Sequence, residues 1–329
     1  MPHSQVILHI PELAAALTQA GAGRLPWLEK FFSRADARQI EDGTAVLADC
    51  FGLRPEELAA APFERLADTG QRDEACWWRA DPVHLEADRD QLVMLPQAAL
   101  EVTADEGRLF AETFNQSYAA EGFTLETPQP ERWYLRTPFS WQCRGWEPAR
   151  LAGQPVTEFM PTGPDENPVR KLMTEIQMLL HEHPVNQARE SAEKLAINSL
   201  WLWGGGRLPQ SVPQTPARII TTQPLVRGLA LLASRQSESW PVTSLEQFAE
   251  GESLLALGMS DFGDDAGRLE KQLIMPLWRA LASGRVGEIR CYAGGSRLFV
   301  LSRNSAWRFW CRSRPLSGVL GEVNDSTPD

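Results

Sequence analysis

The chain has 329 residues, 43% of them hydrophobic and 23% charged, with 32 Lys and Arg set against 43 Asp and Glu for a formal net charge of −11. That length can bury a sizeable core and approaches the size at which a second domain forms. The acidic balance works against wholesale nucleic-acid binding, because phosphate contacts need a basic surface. Cys50, Cys76, Cys143, Cys291 and Cys311 stand far apart with no Cys-x-x-Cys pair, so neither a zinc site nor a disulfide framework is suggested. No basic region followed by an apolar run opens the chain and no stretch is long enough to span a bilayer. No membrane partner is expected, and the cytoplasm is the default location.

In chain order, Gln5–Ile10 is a short apolar run leading into a helical stretch over Glu12–Gln19. Further helices are predicted over Leu25–Phe32, Ala45–Leu53 and Pro55–Leu66. The texture changes at Ala75. Trp77 to Leu95 alternates like a hairpin with Glu86–Asp90 as its turn. Thr103 and Glu106 form a capping box, and Leu109, Phe110, Phe114 and Tyr118 give the following helix a buried face. Arg132–Pro138 reads as a strand, and the proline-rich Trp141–Pro168 as a long irregular crossover.

The most informative stretch runs from Val169 to Pro209. Val169, Leu172, Met173, Ile176, Leu179, Leu180 and His183 recur at helical spacing, and Pro184 stops that helix. A polar helix with a Glu190–Lys194 pair follows. Leu200 and Leu202 then alternate with Trp201 and Trp203, so both faces are apolar, which predicts a central strand buried in a parallel sheet. Gly204, Gly205 and Gly206 end it at the carboxyl edge, where open α/β sheets put their ligands. A phosphate cradle there would need a helix start after the glycines, and none is evident.

Beyond it, Arg218–Thr222 reads as a strand, Leu225–Ala233 as a helix, and Ser253–Leu257 as a strand ending in the acidic loop of Asp261, Asp264 and Asp265. Leu269, Leu273, Leu277 and Leu281 mark an amphipathic helix. Glu288–Tyr292 and Arg297–Leu301 flank Gly294-Gly295, a hairpin signal. Glu322–Asp329 looks frayed. Residues 285–314 hold seven arginines against Glu288 alone, interleaved with Trp307, Phe309 and Trp310. An acidic partner for this segment and a merely solvated outer face of a strand pair both fit that pattern. Strands alternating with helices at both ends suggest an α/β core interrupted by an α+β domain.

The order of an apolar strand, Leu25-Pro26-Trp27-Leu28-Glu29, Thr44-Ala45, Phe51-Gly52, Pro62-Phe63-Glu64, the run Trp78 to Leu85, His183-Pro184-Val185-Asn186 with Arg189, and Asn198 through Gly206 resembles the archaeal-type cofactor-independent phosphoglycerate mutases. It is most similar to their bacterial relatives called RpfE-type regulatory proteins. The resemblance runs from about Val6 to Ala280. It implies an α/β, alkaline-phosphatase-like core of mostly parallel strands, residues 1–74 and 192–329, with a smaller substrate-covering α+β domain, residues 75–191, inserted. In such enzymes two divalent metals held by aspartates and histidines act with a serine nucleophile.

This chain departs from that set. Leu8-His9-Ile10-Pro11 stands where the first metal aspartate belongs, and Glu41-Asp42-Gly43-Thr44-Ala45 contains no serine. Val46 occupies a histidine position, and neither Met259–Gly267 nor Cys291–Asn304 contains a histidine. The expectation is a phosphoglycerate-mutase-like protein without catalytic residues, metal or cofactor, serving a regulatory role. The alternative is a phosphotransferase with a rebuilt site. The polar residues left, Arg79, His183, Asn186, Arg189 and Asn198, are candidates for binding a small phosphorylated or carboxylated anion between the domains. Arg79 and Arg189 would be its bidentate grips.

Overall fold

The computed structural model describes residues 4–19, 24–88, 91–151, 153–242, 251–308 and 310–320. The chain divides into two compact units, Met1–Leu58 with Ser211–Asp329, and Ala59–Gln210. In chain order the first unit begins with β1 (Gln5–His9), α1 (Leu13–Gln19), α2 (Pro26–Arg34), β2 (Asp36–Gln39) and α3 (Gly43–Phe51). Proline opens α2, where its missing N–H costs nothing. Asp42 caps α3 by accepting from the Thr44 and Ala45 N–H groups.

The second unit follows with α4 (Ala60–Thr69), β3 (Cys76–Val83), β4 (Leu85–Asp88), β5 (Gln91–Met94), α5 (Ala104–Tyr118), β6 (Thr124–Gln129), β7 (Arg132–Thr137), α6 (Glu166–His181), α7 (Pro184–Ser191) and β8 (Ser199–Gly206). Thr103 and Glu106 make the expected capping box on α5. β4 and β5 form a hairpin whose tip, residues 89 and 90, lies outside the described residues. The remaining strands build an antiparallel sheet in the order β6-β7-β3-β8. Its core joins Trp78, Phe110, Trp133 and Trp201 with the stripe of α6.

The chain then completes the first unit with β9 (Arg218–Thr221), α8 (Pro224–Leu232), β10 (Glu252–Ala256), α9 (Ala266–Leu269), α10 (Met275–Ser283), β11 (Glu288–Tyr292), β12 (Arg297–Ser302), α11 (Arg303–Ala306) and α12 (Leu316–Leu320). Its sheet runs β2-β12-β11-β1-β10-β9. The four strands β9, β10, β1 and β11 are mutually parallel, and β12 and β2 add antiparallel neighbours at one side. The fold is α/β with one mixed and one antiparallel main sheet. Val6, Leu8 and Ile10 face a core closed by residues of α2 and α10, including Phe31 and Leu277. Among the described residues no helix is long and apolar enough to cross a membrane.

One expectation is overturned. Leu200–Trp203 is buried as predicted, but it lies in β8, at the edge of the antiparallel sheet and antiparallel to β3, not in the centre of the larger sheet. Burial on both sides comes from packing against α4 and α6 and from the loop residue Trp146, whose carbonyl accepts the Trp201 indole N–H at 2.7 Å. A run apolar on both faces reports burial, and helices and loops bury a strand as well as parallel neighbours do. The three glycines are likewise part of β8 rather than a loop after it. A Cβ on Gly205 would stand 2.1 Å from the Trp78 ring, so the glycine lets an indole lie on the strand.

Candidate functional site

Ligands of open α/β sheets bind beyond the carboxyl ends of parallel strands. In the first unit those ends form a row: Thr221 pairs with Ala256, Ala256 with His9, and His9 with Tyr292. The row is occupied by protein. The His9 ring stacks on Tyr292 with centroids 5.1 Å apart and planes 22° apart. Gly43, first residue of α3, comes so close that a Cβ there would lie 2.4 Å from the Tyr292 ring and 2.8 Å from His9 Nε2. Thr221 Oγ1 donates to the Ala256 carbonyl at 2.8 Å, and Gln223 Nε2 to the Leu257 carbonyl at 3.0 Å.

The nearby carboxylates are also engaged. Asp261 Oδ2 accepts from Thr222 Oγ1 at 2.6 Å and from the Gly258 N–H at 2.9 Å. Asp42 is held by the N-terminus of α3. Burial, with Asp261 and Asp264 adding to it, pushes the Glu12 carboxyl up. Among the described residues no three His, Cys, Asp or Glu side chains converge to hold a metal ion. A divalent pair needs several hard or imidazole ligands on each cation, and among the described residues one imidazole beside locally bonded carboxylates does not fit it.

Burial pushes the His9 imidazole down to about 4, against the pull of Gln223, the Gly43 backbone and Asp42. His9 is therefore neutral at pH 7, with Nδ1 making no hydrogen bond. The unfolded chain takes up this proton near pH 6.5 and the folded chain only near 4. The stability due to neutral His9 is complete above the first value and is lost as pH falls through the second, a total of about 3 kcal/mol. Denaturant unfolding of wild type and His9→Leu near neutrality and near pH 4.5 reads this directly. Wild type is expected to lose more stability in acid than the variant. Parallel losses would contradict a neutral buried imidazole.

All five anion-binding candidates lie in the second unit, and each is engaged by hydrogen bonds within it. Arg189 is 2% exposed, and its guanidinium donates to Glu106 Oε1 at 2.8 Å, to the Leu195 carbonyl at 2.7 Å and to the Leu100 carbonyl. Against the upward push of burial, the Thr103 backbone and Arg189 hold the Glu106 carboxyl below its ordinary value. His183 is not the last residue of the α6 stripe but the cap of α7. Its Nδ1 accepts from the Val185 N–H, and Nε2 lies 2.8 Å from Thr113 Oγ1. Asn186 donates to the Leu180 and Ile197 carbonyls and accepts from the Ile197 N–H. Asn198 exchanges two hydrogen bonds with the Leu85 backbone. These residues tie strands, caps and crossovers together.

Arg79 centres a buried charge network that sequence reading did not assemble. It donates to Asp81 Oδ1 at 2.9 and 2.5 Å and to Glu64 on α4, and Trp203 Nε1 donates to Asp81 Oδ2 at 2.7 Å. The guanidinium lies 5.1 Å from the Trp203 ring centre and 5.5 Å from that of Tyr134. Tyr134 donates to Asp68, which also takes both prongs of Arg132. Burial pushes Glu64 up to about 7 despite Arg79, and burial raises Asp81 as well. One arginine cannot fully neutralise two carboxylates in low dielectric. The signal was present in β3, where Trp77, Arg79 and Asp81 alternate onto one face.

No protein-family model matches the chain. A probable 2,3-bisphosphoglycerate-independent phosphoglycerate mutase of Geobacter sulfurreducens is 28% identical over 236 residues, covering 66% of this chain and 58% of that protein. The 2,3-bisphosphoglycerate-independent phosphoglycerate mutase of Methanothrix thermoacetophila is 33% identical over 92 residues, 26% of this chain and 23% of that one. Among solved structures, a cofactor-independent phosphoglycerate mutase from Thermoplasma acidophilum aligns with a TM-score of 0.41 at 16% identity, covering 91% of this chain and 88% of that one. A Pyrococcus horikoshii protein aligns with a TM-score of 0.48 at 14% identity, covering 92% and 88%. The chain spans a little over half the length of the first of these curated relatives, 58%, and under a quarter of the second, 23%. Over that part it is similar to 2,3-bisphosphoglycerate-independent phosphoglycerate mutases.

Proposed function

We propose that this chain is a non-catalytic, RpfE-type relative of the phosphoglycerate mutases, which keeps an alkaline-phosphatase-like scaffold for a regulatory binding role. In this reading residues 75–191, which fall within the compact unit Ala59–Gln210, serve as the inserted, substrate-covering domain that the resemblance implies. One observation carries the proposal. The strand-end row, where metal-assisted phosphoryl transfer would have to be assembled, is packed with the His9–Tyr292 stack against Gly43. The carboxylates beside it serve caps and turns. Metal-assisted transfer needs an open cation site and a nucleophile beside it, and neither is favoured by a close-packed neutral imidazole. Arg79 and Arg189 already donate through all three guanidinium nitrogens to protein acceptors, at the positions expected to grip phosphate.

The test is an interconversion assay with 3- and 2-phosphoglycerate in the presence of added Mn²⁺ or Mg²⁺, run beside an active mutase. No turnover above background is expected. Turnover that depends on added metal would overturn the proposal in favour of a rebuilt phosphotransfer site.

A further inference from the structure

The arginine-rich segment divides in the structure. Its first half is absorbed locally: Arg290 pairs with Glu288, and Arg297 donates to the Val319 and Leu320 carbonyls. Its second half forms a ledge. Ser302 ends β12 and caps α11. After Ala306 the chain runs without helix or strand through the described residues until α12, whose Leu316 and Leu320 are buried. The ledge is pinned to α2 and β2. Arg34 donates to the Ala306 carbonyl at 2.5 Å, Arg308 forks onto Asp36 at 2.7 and 3.2 Å, and the Arg314 N–H donates to Ser33 Oγ at 2.9 Å.

What the ledge presents is cationic and aromatic. Arg303, Arg312 and Arg314 are exposed and make no ion pair among the described residues. Trp307 is 64% exposed. Asp36 beside the ledge is already paired with Arg308, which holds its carboxyl down. Beside the ledge lies β2, an edge strand with all four residues exposed, paired on one side with β12 and contributing Arg38.

We propose that this ledge and the β2 edge form a docking surface for an acidic, extended peptide segment of a partner protein. Charge complementarity selects the acid, since unpaired arginines cluster here on a chain of net charge −11. Exposed Trp with Arg is the composition of an interface centre. The main-chain edge of β2, unpaired among the described residues, offers an extended peptide the pairing used in strand addition. A nucleic acid gains nothing from that edge, and the acidic remainder of the chain repels a long polyanion. The inference is independent of whether the chain turns over any substrate.

Fluorescence anisotropy tests it with a labelled Glu–Val repeat peptide, the matching Gln–Val peptide and a single-stranded oligonucleotide of equal length, all at low salt. The Glu–Val peptide should bind wild type best. The double substitution Arg312→Glu/Arg314→Glu, and separately Trp307→Ala, should weaken it by about ten-fold or more, one decade being about 1.4 kcal/mol. All three residues are exposed, so thermal melting of the variants should match wild type. Affinity unchanged in both variants, equal binding of the Gln–Val peptide, no peptide binding at all, or tighter binding of the oligonucleotide would each overturn the proposal.

Discussion

Replacing Arg79 by alanine is expected to destabilise the Ala59–Gln210 unit by about 3–5 kcal/mol, because it strands two buried carboxylates without their counter-charge. Glu64 and Asp81 are both nearly inaccessible, and Arg79 is the cation that meets them both. With the guanidinium gone each carboxyl can relieve its position by taking a proton. The loss should therefore be smaller in mild acid and grow as pH rises. Glu64, pushed up to about 7 even in the intact network, already leans that way. Stability linked to its raised value is fully present below its ordinary carboxyl range and fades as pH climbs through about 7. Denaturant unfolding of Arg79→Ala at mildly acidic and mildly alkaline pH reads both the size and the direction. A pH-independent loss within the range of an exposed ion pair, below about 1 kcal/mol, would show that the network is not the buried object described.

Arg189→Ala should act as strongly in the same unit, again by about 3–5 kcal/mol. The side chain bridges α7 to the Leu100 carbonyl before α5, to Glu106 in its first turn, and to the Leu195 carbonyl after α7. Removing it leaves buried acceptors unsatisfied, each of which costs about 1–3 kcal/mol, more where charged. Arg189→Lys should recover only part of the loss, since one ammonium on a flexible stem does not reproduce a planar fork reaching three directions. The check is the midpoint and amplitude of urea unfolding for both variants. An Arg189→Ala protein as stable as wild type would return this arginine to the role of a ligand grip.

Features fixed by neighbouring residues were legible in the sequence. The Thr103–Glu106 box, the apolar stripe of α6, the Gly294-Gly295 hairpin and the strand at Gln5–His9 all depend on residues within a few positions of one another. β8 was misplaced because a run apolar on both faces reveals burial and not the identity of what buries it. β2 and β6 were not found; both are rich in polar residues and are held by long-range pairing with β12 and β7. His183 read as core from its spacing, yet the proline after it made it the cap of the next helix.

The candidate residues were ambiguous in the sequence for a related reason. An arginine in sequence carries a charge but not its partner. Arg79 meets Glu64 fifteen positions away and Arg189 meets Glu106 eighty-three away, so a ligand grip and a structural ion pair look alike until the fold is known. The residue types at the positions that the resemblance assigns to metal and nucleophile were readable at once, because they are questions of sequence alone. What could not be read was how that space is filled, the stack of His9 on Tyr292 under Gly43.

The most direct test of that filled site is metal stoichiometry. Protein equilibrated with Mn²⁺ and then dialysed exhaustively should retain far less than one ion per chain by elemental analysis, and His9→Leu should retain no less than wild type. Two firmly held ions per chain, lost on substitution of His9, would contradict the account and restore a metal centre at the ends of β1, β10 and β11.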